Sequence, residues 1–250
     1  MASNGSDSGA GTKSYTTQNG TWRITTRKLP ILKATPIDQL SNDLGIPIPE
    51  MIFGDNLVSI IHLPTAWTLS FNARDALDRV SKTEEGMLQV AVAEEWKKDR
   101  KEAMVKDEVK SVVKPFDWSY STDYRGSTDV GGNPILFFET VDLYEDELAD
   151  NGIALLSIKI RVMPERLLLL SRFFLRLDGV VVRIRDTRVY IEHGSEKVIR
   201  QYTAKEESYA VLQEKLKGMR ENAPEAFRDA NVLAPLLRTE VDEVEVFEVG

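Results

Sequence analysis

The side chains best suited to chemistry in this chain are arginines and carboxylates, because histidine is rare and cysteine is absent. There are two histidines, His62 and His193, and no cysteine. Neither histidine stands at metal-ligand spacing from the other, and no nucleophile-elbow motif accompanies either. The sequence also lacks a P-loop and a dinucleotide-binding glycine pattern. We interpret His193, which precedes Gly194 in a predicted turn, as a solvated loop residue.

Carboxylates are plentiful, with 40 aspartates and glutamates. Glu145, Asp146 and Glu147 form an acidic run that offers ligands for a hard cation. Consecutive residues of a strand point to opposite faces, so we interpret this run as solvated charge. We predict no metal and no cofactor. A metal-dependent hydrolase built on converging carboxylates stays the alternative to a binding protein, because convergence in space is not visible in a sequence.

The arginines concentrate in the stretch from Arg161 to Tyr190. At its centre Asp178-Gly179 is a strong hairpin signal between two apolar runs. A two-residue turn there pairs alternate residues into one core face, which consists of Phe173, Leu175, Leu177, Val180, Val182 and Ile184. The opposite face then carries Arg172, Arg176, Arg183 and Arg185. These four arginines either pair with carboxylates of neighbouring strands or form a surface for an anion or a partner.

The elements that must position these residues are mostly strands. Alternating patterns predict strands over 21–26, 57–62, 65–71, 116–124, 135–144, 156–162 and 197–203. Residues 241–249 interleave valines with acids and are interpreted as an edge strand or an acidic tail. Capping signals predict helices over 35–44, 73–81, 90–105 and 203–216, and 221–237 is expected to be helical in pieces. Short turns join the strands without regular helical crossovers. This organisation predicts an α+β fold of antiparallel sheets with peripheral helices. Residues 1–14 read as a disordered tail, and 15–250 as a single domain.

Charge and composition limit the classes of partner. The chain has 250 residues, 42% hydrophobic and 29% charged, with a net charge of -8. This acidic balance argues against nucleic acids and anionic membranes, because phosphate binding requires clustered cations. No apolar run approaches the roughly 20 residues of a membrane span, and a secretory signal pattern is absent. We expect a monomer in the cytoplasm, with the nucleus as a further compartment.

Eight motifs, in order along the chain, match one known family. They are Pro-Glu-Met-Ile-Phe-Gly-Asp-Asn (49–56), Phe-Asn-Ala-Arg-Asp-Ala-Leu (71–77), Ala-Glu-Glu-Trp (93–96), Lys-Pro-Phe-Asp-Trp-Ser-Tyr-Ser-Thr-Asp-Tyr (114–124), Tyr-Glu-Asp-Glu-Leu (144–148), Ser-Ile-Lys-Ile-Arg-Val-Met-Pro (157–164), Arg-Phe-Phe-Leu-Arg-Leu-Asp-Gly-Val (172–180) and Asp-Thr-Arg-Val-Tyr (186–190). Together they resemble the TOR-signalling-pathway-regulator-like family, TIPRL. One departure is the stretch 126–134, where the family has a longer connector.

The resemblance implies a fold of layered antiparallel β-sheets with peripheral α-helices, which agrees with the strand pattern. It also implies a non-enzymatic regulator within TOR signalling. Such proteins bind and restrain the catalytic subunits of type 2A, type 4 and type 6 serine/threonine phosphatases. The resemblance further implies a groove that receives the acid-bearing C-terminal tail of the catalytic subunit.

Chemistry laid over these motifs suggests the partner-binding residues. Asp75 follows the predicted cap Asn72 at a helix start, where the helix dipole favours a carboxylate; it is either a partner contact or only a helix-start acid. Ile184 and Asp186 share a strand face at the point where the predicted core runs out into charge. Bidentate hydrogen bonds to a carboxylate tail are expected from Arg183, Arg185 and Arg188.

Overall fold

The computed structural model describes residues 5–7, 11–78, 80–81, 89–90, 134–217 and 223–249. The chain divides into two compact units. Unit 1 comprises Met1–Ala103 with Val141–Tyr144, and unit 2 comprises Met104–Thr140 with Glu145–Gly250. The helix predicted over 90–105, the strand over 116–124 and the motifs at 93–96 and 114–124 lie outside the described residues. The extent of the predicted single domain stays a prediction.

In its described residues, unit 1 is built on a five-stranded antiparallel sheet with two helices. Its elements are β1 (Gly5–Asp7), β2 (Thr12–Thr16), β3 (Trp22–Arg27), α1 (Ala34–Leu44), β4 (Met51–Ile52), β5 (Leu57–His62), β6 (Thr68–Asn72), α2 (Ala73–Asp78), β7 (Val80–Ser81) and β8 (Gln89–Val90). The sheet order is β1-β2-β3-β5-β6. Strand β2 begins at Thr12, inside the stretch that the sequence predicts to be a disordered tail.

The core of this sheet follows from alternation along β3 and β5. Trp22 and Ile24 on β3 are buried, as are Val58 and Ile60 on β5, and Ile24 lies directly opposite Ile60. Every second residue of a strand faces the same side, so these two strands supply one apolar face. The strands predicted over 21–26 and 57–62 are therefore confirmed.

Local capping chemistry sets the ends of the helices in unit 1. Helix α1 ends at Gly45, whose φ of 65° is left-handed and whose N–H donates to Ser41 O, as the sequence predicts. The sequence suggests Thr35 as the N-cap of α1, but this is wrong: the N-cap is Lys33, two residues earlier, and it makes no side-chain hydrogen bond. At α2 the Asn72 side chain caps the helix as predicted, accepting a 2.9 Å hydrogen bond from Asp75 N.

Unit 2 is an antiparallel sheet in which sequence neighbours pair. Its strands are β9 (Phe137–Asp146, the middle of which belongs to unit 1), β10 (Gly152–Val162), β11 (Arg166–Leu177), β12 (Val181–Glu192), β13 (Lys197–Ser208) and β14 (Arg238–Glu248). Three helices, α3 (Tyr209–Lys217), α4 (Ala223–Ala226) and α5 (Ala230–Leu233), connect β13 to β14. Each strand from β10 to β13 pairs with the next, with one register shift between β13 and β14 at Ala204/Lys205.

The register of the β11–β12 hairpin differs by one residue from the prediction. Leu177 pairs with Val181 and Phe174 with Ile184, so the loop has three residues, 178–180. Gly179 has a φ of 73°, whereas the φ of Asp178 is not positive. The turn, closed by Val180 N donating to Leu177 O at 3.0 Å, is therefore not the type I′ turn that Asp-Gly suggests.

This one-residue shift changes which arginines share a face. Phe174, Val182 and Ile184 now pack together with apolar residues of the segment between β13 and β14, including Leu212 of α3 and Phe227 just after α4. Arg172 and Arg176 lie on that same face, whereas Arg183 and Arg185 lie on the other. The predicted surface with four arginines on one face is therefore wrong.

Strand β13 also runs further than predicted. Thr203-Ala204-Lys205-Glu206 was expected to open a helix as a capping box, but Thr203 and Ala204 are buried in the strand, which continues to Ser208. Pairing on both sides of β13 outweighs the local capping signal. Strand β14, which pairs with β13 at the end of the strand order, confirms the edge strand predicted over 241–249.

The architecture confirms the predicted fold class: antiparallel sheets dominate and the helices are few. Within the residues that the structure describes, no helix is long and apolar enough to cross a membrane.

Candidate partner-binding site

The centre of the candidate site in unit 2 is a carboxylate held by two arginines. The Asp186 side chain is 2% exposed. Arg172 donates to both of its oxygens, Nε to Oδ1 and Nη2 to Oδ2, each at 2.7 Å. Arg188 Nη2 donates to Oδ2 at 2.7 Å. Bidentate arginine–carboxylate pairs of this kind fix orientation as well as charge.

Strand parity and one helix position these groups. Asp186 lies opposite Arg172 across β11 and β12 and opposite Thr203 on β13. Arg172 Nη1 also donates to Asn231 Oδ1 at 2.7 Å, and Asn231 is in α5. Arg188 Nη1 donates to Thr203 Oγ1 at 3.2 Å. The network therefore joins three adjacent strands to the helical segment above them.

Cations exceed carboxylates around this network. Arg172, Arg188 and Lys205 face Asp186, with Asp242 as a further carboxylate. Burial lowers the pKa of Arg188, and the nearby Asp186 carboxylate partly restores it. Burial also lowers the pKa of Lys205, whose Nζ donates to Ala234 O at 3.1 Å. A half-buried cluster with surplus positive charge favours an anionic ligand.

Arg188 keeps hydrogen-bonding capacity within this cluster. Its side chain is 16% exposed. Its Nε is buried and has no hydrogen-bond partner in the described part of the chain. Buried donors are normally satisfied, so this nitrogen marks a position where an acceptor would be stabilised.

A second arginine pair lies on the opposite face of β12. Arg183 Nε donates to Glu206 Oε2 at 2.5 Å, and Arg185 Nη2 lies 3.5 Å from the same oxygen. The hydrogen bond from Arg183 is the main cause that lowers the pKa of Glu206. Burial lowers the pKa of Arg185, opposed mainly by the neighbouring Tyr202. Two arginines thus share one carboxylate here as well.

Asp75 lies in unit 1, on the exposed first turn of α2. Its Oδ2 accepts a 2.7 Å hydrogen bond from Asn72 Nδ2, and its N–H donates to Asn72 Oδ1 at 2.9 Å. This reciprocal pair explains Asp75 as a helix-start acid and leaves its carboxylate open to solvent.

The six predicted residues therefore fall into three environments. Asp186 and Arg188 meet in one network, and Ile184 is buried on the same face beside it. Arg183 and Arg185 form the second pair across the strand. Asp75 belongs to the other unit.

Sequence reasoning missed the residues that complete the network, Lys205 and Asn231, and placed Arg172 on the wrong face. Arg172 pairs with Asp186 only in the observed register, so the one-residue error hid the contact. Lys205 was assigned to a helix by the capping-box signal. Asn231 follows Asp229, which caps α5 by accepting from Asn231 N at 2.7 Å. An Asp-x-Asn motif at a helix start was the available signal.

The prediction that His193 is a solvated loop residue is wrong. His193 is buried, its N–H donates to Glu165 O, and its Nδ1 lies 3.0 Å from Pro164 O. Burial lowers the pKa of His193, against the raising effect of the Pro164 carbonyl. Nearby is a cavity of about 390 Å³, lined by Glu165, Arg166, Tyr190, Glu192, Gly194 and Ser195.

Groups suited to metal chemistry do not assemble in the described ranges. No cluster of three or more histidine, cysteine, aspartate or glutamate side chains there is arranged to hold a metal ion. In the acidic run, Asp146 Oδ1 instead accepts a 2.7 Å hydrogen bond from Leu148 N in the turn after β9.

Comparison with known proteins gives the family. The model of the TIP41-like family matches residues 51–213. A Rattus norvegicus protein named TIP41-like protein is 42% identical over 214 residues, covering 77% of each chain. The Saccharomyces cerevisiae protein named type 2A phosphatase activator TIP41 is 35% identical over 260 residues, covering 90% of this chain and 73% of its own. A Schizosaccharomyces pombe protein named type 2A phosphatase activator tip41 is 34% identical over 206 residues, covering 75% of this chain and 80% of its own.

The matched residues include parts of both units and all six predicted site residues. The chain belongs to the TIP41-like family.

Proposed function

We propose that this chain is a non-enzymatic regulator of type 2A serine/threonine phosphatases, which binds and restrains their catalytic subunit within TOR signalling. The observation that carries the proposal is the match over most of the chain to two yeast proteins named type 2A phosphatase activators. Those names describe activation of the phosphatase, whereas the expectation that the phosphatase is restrained comes from the family resemblance of the sequence motifs. The sign of regulation is therefore part of the test. The related type 4 and type 6 catalytic subunits are further partners in this proposal, and the complex acts in the cytoplasm and nucleus.

The charge distribution of unit 2 supports an anionic segment as the bound element. Arg183 and Arg185 share one carboxylate on one face of β12, and Arg172, Arg188 and Lys205 surround Asp186 on the other. An acid-bearing C-terminal tail offers carboxylates that such arginines bind in bidentate fashion.

The two acids have different roles in this proposal. Asp75 is exposed, so it contacts the partner directly. Asp186 is buried, and it positions Arg172 and Arg188 instead of reaching the partner itself. Ile184, also buried, packs the hairpin against the helices and acts in the same indirect way.

The experiment is a titration of the full chain against a purified type 2A catalytic subunit, followed by a phosphatase assay of the complex. Saturable binding with a lowered turnover of a phosphopeptide supports restraint. Binding with increased turnover keeps the regulator and reverses its sign. A catalytic subunit lacking its C-terminal tail should bind more weakly; equal binding would remove the tail from the proposal. Absence of binding to the type 2A, type 4 and type 6 subunits would overturn the function itself.

A further inference from the structure

Within the described residues, the last strand of unit 2 has one edge without a paired strand. Strand β14 spans Arg238–Glu248 and pairs with β13, with one register shift at Ala204/Lys205. Among the strands of the described residues, β14 has a hydrogen-bonded neighbour on one side only. Edge strands are usually shortened, bulged or interrupted by proline, because their unpaired N–H and C=O groups are a template for another chain. Strand β14 contains no proline and pairs continuously with β13 from Val241 to Glu248.

The edge is also strongly acidic. One arginine, Arg238, accompanies five acidic residues, Glu240, Asp242, Glu243, Glu245 and Glu248, which gives the strand a charge of -4. Two of the acids are held over the sheet by β13: Asp242 accepts a 2.9 Å hydrogen bond from Gln201 Nε2, and Glu245 is paired with Arg200. Two of the five acids, Asp242 and Glu245, are therefore positioned by side chains of β13.

The strand is anchored well enough to serve as a template. Val244 and Val246 pack against a core that includes Tyr190 and Ile199. The guanidinium of Arg200 lies 5.5 Å from the ring centroid of Phe247. Beyond the strand, Val249 N donates to Glu196 O at 2.8 Å, which fixes its end.

From this edge we propose that β14 is a second docking surface, where an extended basic segment of another protein adds as a strand. Main-chain hydrogen bonds provide the pairing, and the acids select lysine and arginine side chains. A second copy of β14 fits poorly, because two strands that each carry a charge of -4 repel one another. This surface lies outside the residues matched to the family model, and the inference goes beyond the proposed function.

The test uses the full chain and synthetic peptides as long as β14, without a phosphatase. The first peptide alternates lysine with valine or threonine. The second has the same sequence with alternate backbone amides N-methylated, which keeps the charge but removes hydrogen-bond donors. The third replaces lysine with glutamate. We expect the first peptide to bind, the second to bind at least about tenfold more weakly and the third not to bind. On binding, amide hydrogen exchange should slow in β14.

A matched pair of variants tests the charges. The double variant Glu240→Lys/Glu248→Lys should weaken binding of the lysine peptide, while Glu214→Lys/Glu225→Lys, with the same charge change on helices, should not. Circular dichroism checks that each variant is folded. Three results would overturn the proposal: equal affinity for the N-methylated peptide, no binding of the lysine peptide, or slowed hydrogen exchange outside β14. In each case the acids would only protect the edge against aggregation. Concentration-dependent dimerisation that protects β14 without peptide would overturn the basic partner in favour of a second copy.

Discussion

The Arg172 guanidinium donates hydrogen bonds of 2.7 Å to both carboxylate oxygens of Asp186, across the two central strands of unit 2. Arg188 completes the arrangement from the side. Two cations on a buried carboxylate make Asp186 structurally indispensable, because its removal leaves half-buried positive charges without compensation. The network links the fold to the candidate site, since the same arginines carry the surplus charge.

Asp186→Asn should destabilise unit 2. The amide keeps the shape but removes the negative charge between Arg172 and Arg188, which are only 14% and 16% exposed. Breaking a pair this buried costs about 3 kcal/mol. Urea unfolding monitored by circular dichroism measures the loss. The control, Glu240→Gln, breaks an ion pair with Arg238 whose side chains are 39% and 76% exposed, and should change stability by less than about 0.5 kcal/mol. Equal effects of the two variants would show that the network contributes no more than a surface pair.

Asp75→Leu should weaken phosphatase binding with little effect on the fold. The carboxylate is exposed and its loss removes one hydrogen bond to Asn72, a cost of about 1 kcal/mol at most. An exposed contact at a protein interface that becomes desolvated on binding is worth roughly 2 kcal/mol or more, which reduces affinity at least about tenfold. Calorimetric titration against the type 2A catalytic subunit measures it.

The matched control for Asp75 is Asp78→Leu, which changes another exposed acid of α2. Its affinity should stay at the wild-type value. If Asp75→Leu binds the catalytic subunit as tightly as Asp78→Leu, Asp75 is only a helix-start acid. The contact surface then lies elsewhere.

Gly179→Ala should destabilise the β11–β12 hairpin by about 1 kcal/mol, because residue 179 has a φ of 73°. A Cβ at this position meets nothing within 4 Å, so the cost comes from the backbone alone. Gly194→Ala is the control, since a Cβ there also has free space and its φ is not in the left-handed region. Melting temperatures of the two variants separate the effects; a loss that is equal in both would remove the conformational explanation.

Stability should fall as the pH drops through the ordinary histidine range, in part through His193. Burial lowers the pKa of His193 below the ordinary value of a histidine, so the unfolded chain binds the proton more readily than the folded protein. Stability from this group is complete above about pH 6.5 and is lost as the pH falls toward the folded pKa.

His193→Asn removes this titration while retaining a side-chain donor for the Pro164 carbonyl. The free energy of unfolding should therefore depend less on pH in the variant than in the wild type, between about pH 7.5 and pH 5.5. Parallel pH profiles would show that His193 binds protons equally in the folded and unfolded chains.

Features decided within a few residues could be predicted from the sequence. The Asn72 cap, the stop at Gly45 and the alternation of 57–62 all depend on local backbone chemistry and strand periodicity. For the candidate site, the sequence predicts correctly that Ile184 and Asp186 lie on the same face of β12.

Features that depend on residues distant in the sequence could not be predicted. Asp178-Gly179 suits more than one turn, and the choice is made where Asp178 N donates to Asn151 O in the neighbouring hairpin loop. Thr203 carries a capping-box pattern, yet it is paired with Asp186 on one side and Asp242 on the other. A one-residue difference in register then reassigns every side chain of the strand, including Arg172, to the other face.

The order of strands in unit 2 has a consequence for how this sheet is made. From β10 to β13, each strand pairs with the one that precedes it in the chain, across the short connections 163–165, 178–180 and 193–196. Such local pairing costs little loop entropy, so on the ribosome the sheet can lengthen one hairpin at a time as the chain emerges. In contrast, β14 pairs with β13 across the helical segment 209–237, so its addition closes a longer loop and costs more loop entropy than each hairpin from β10 to β13.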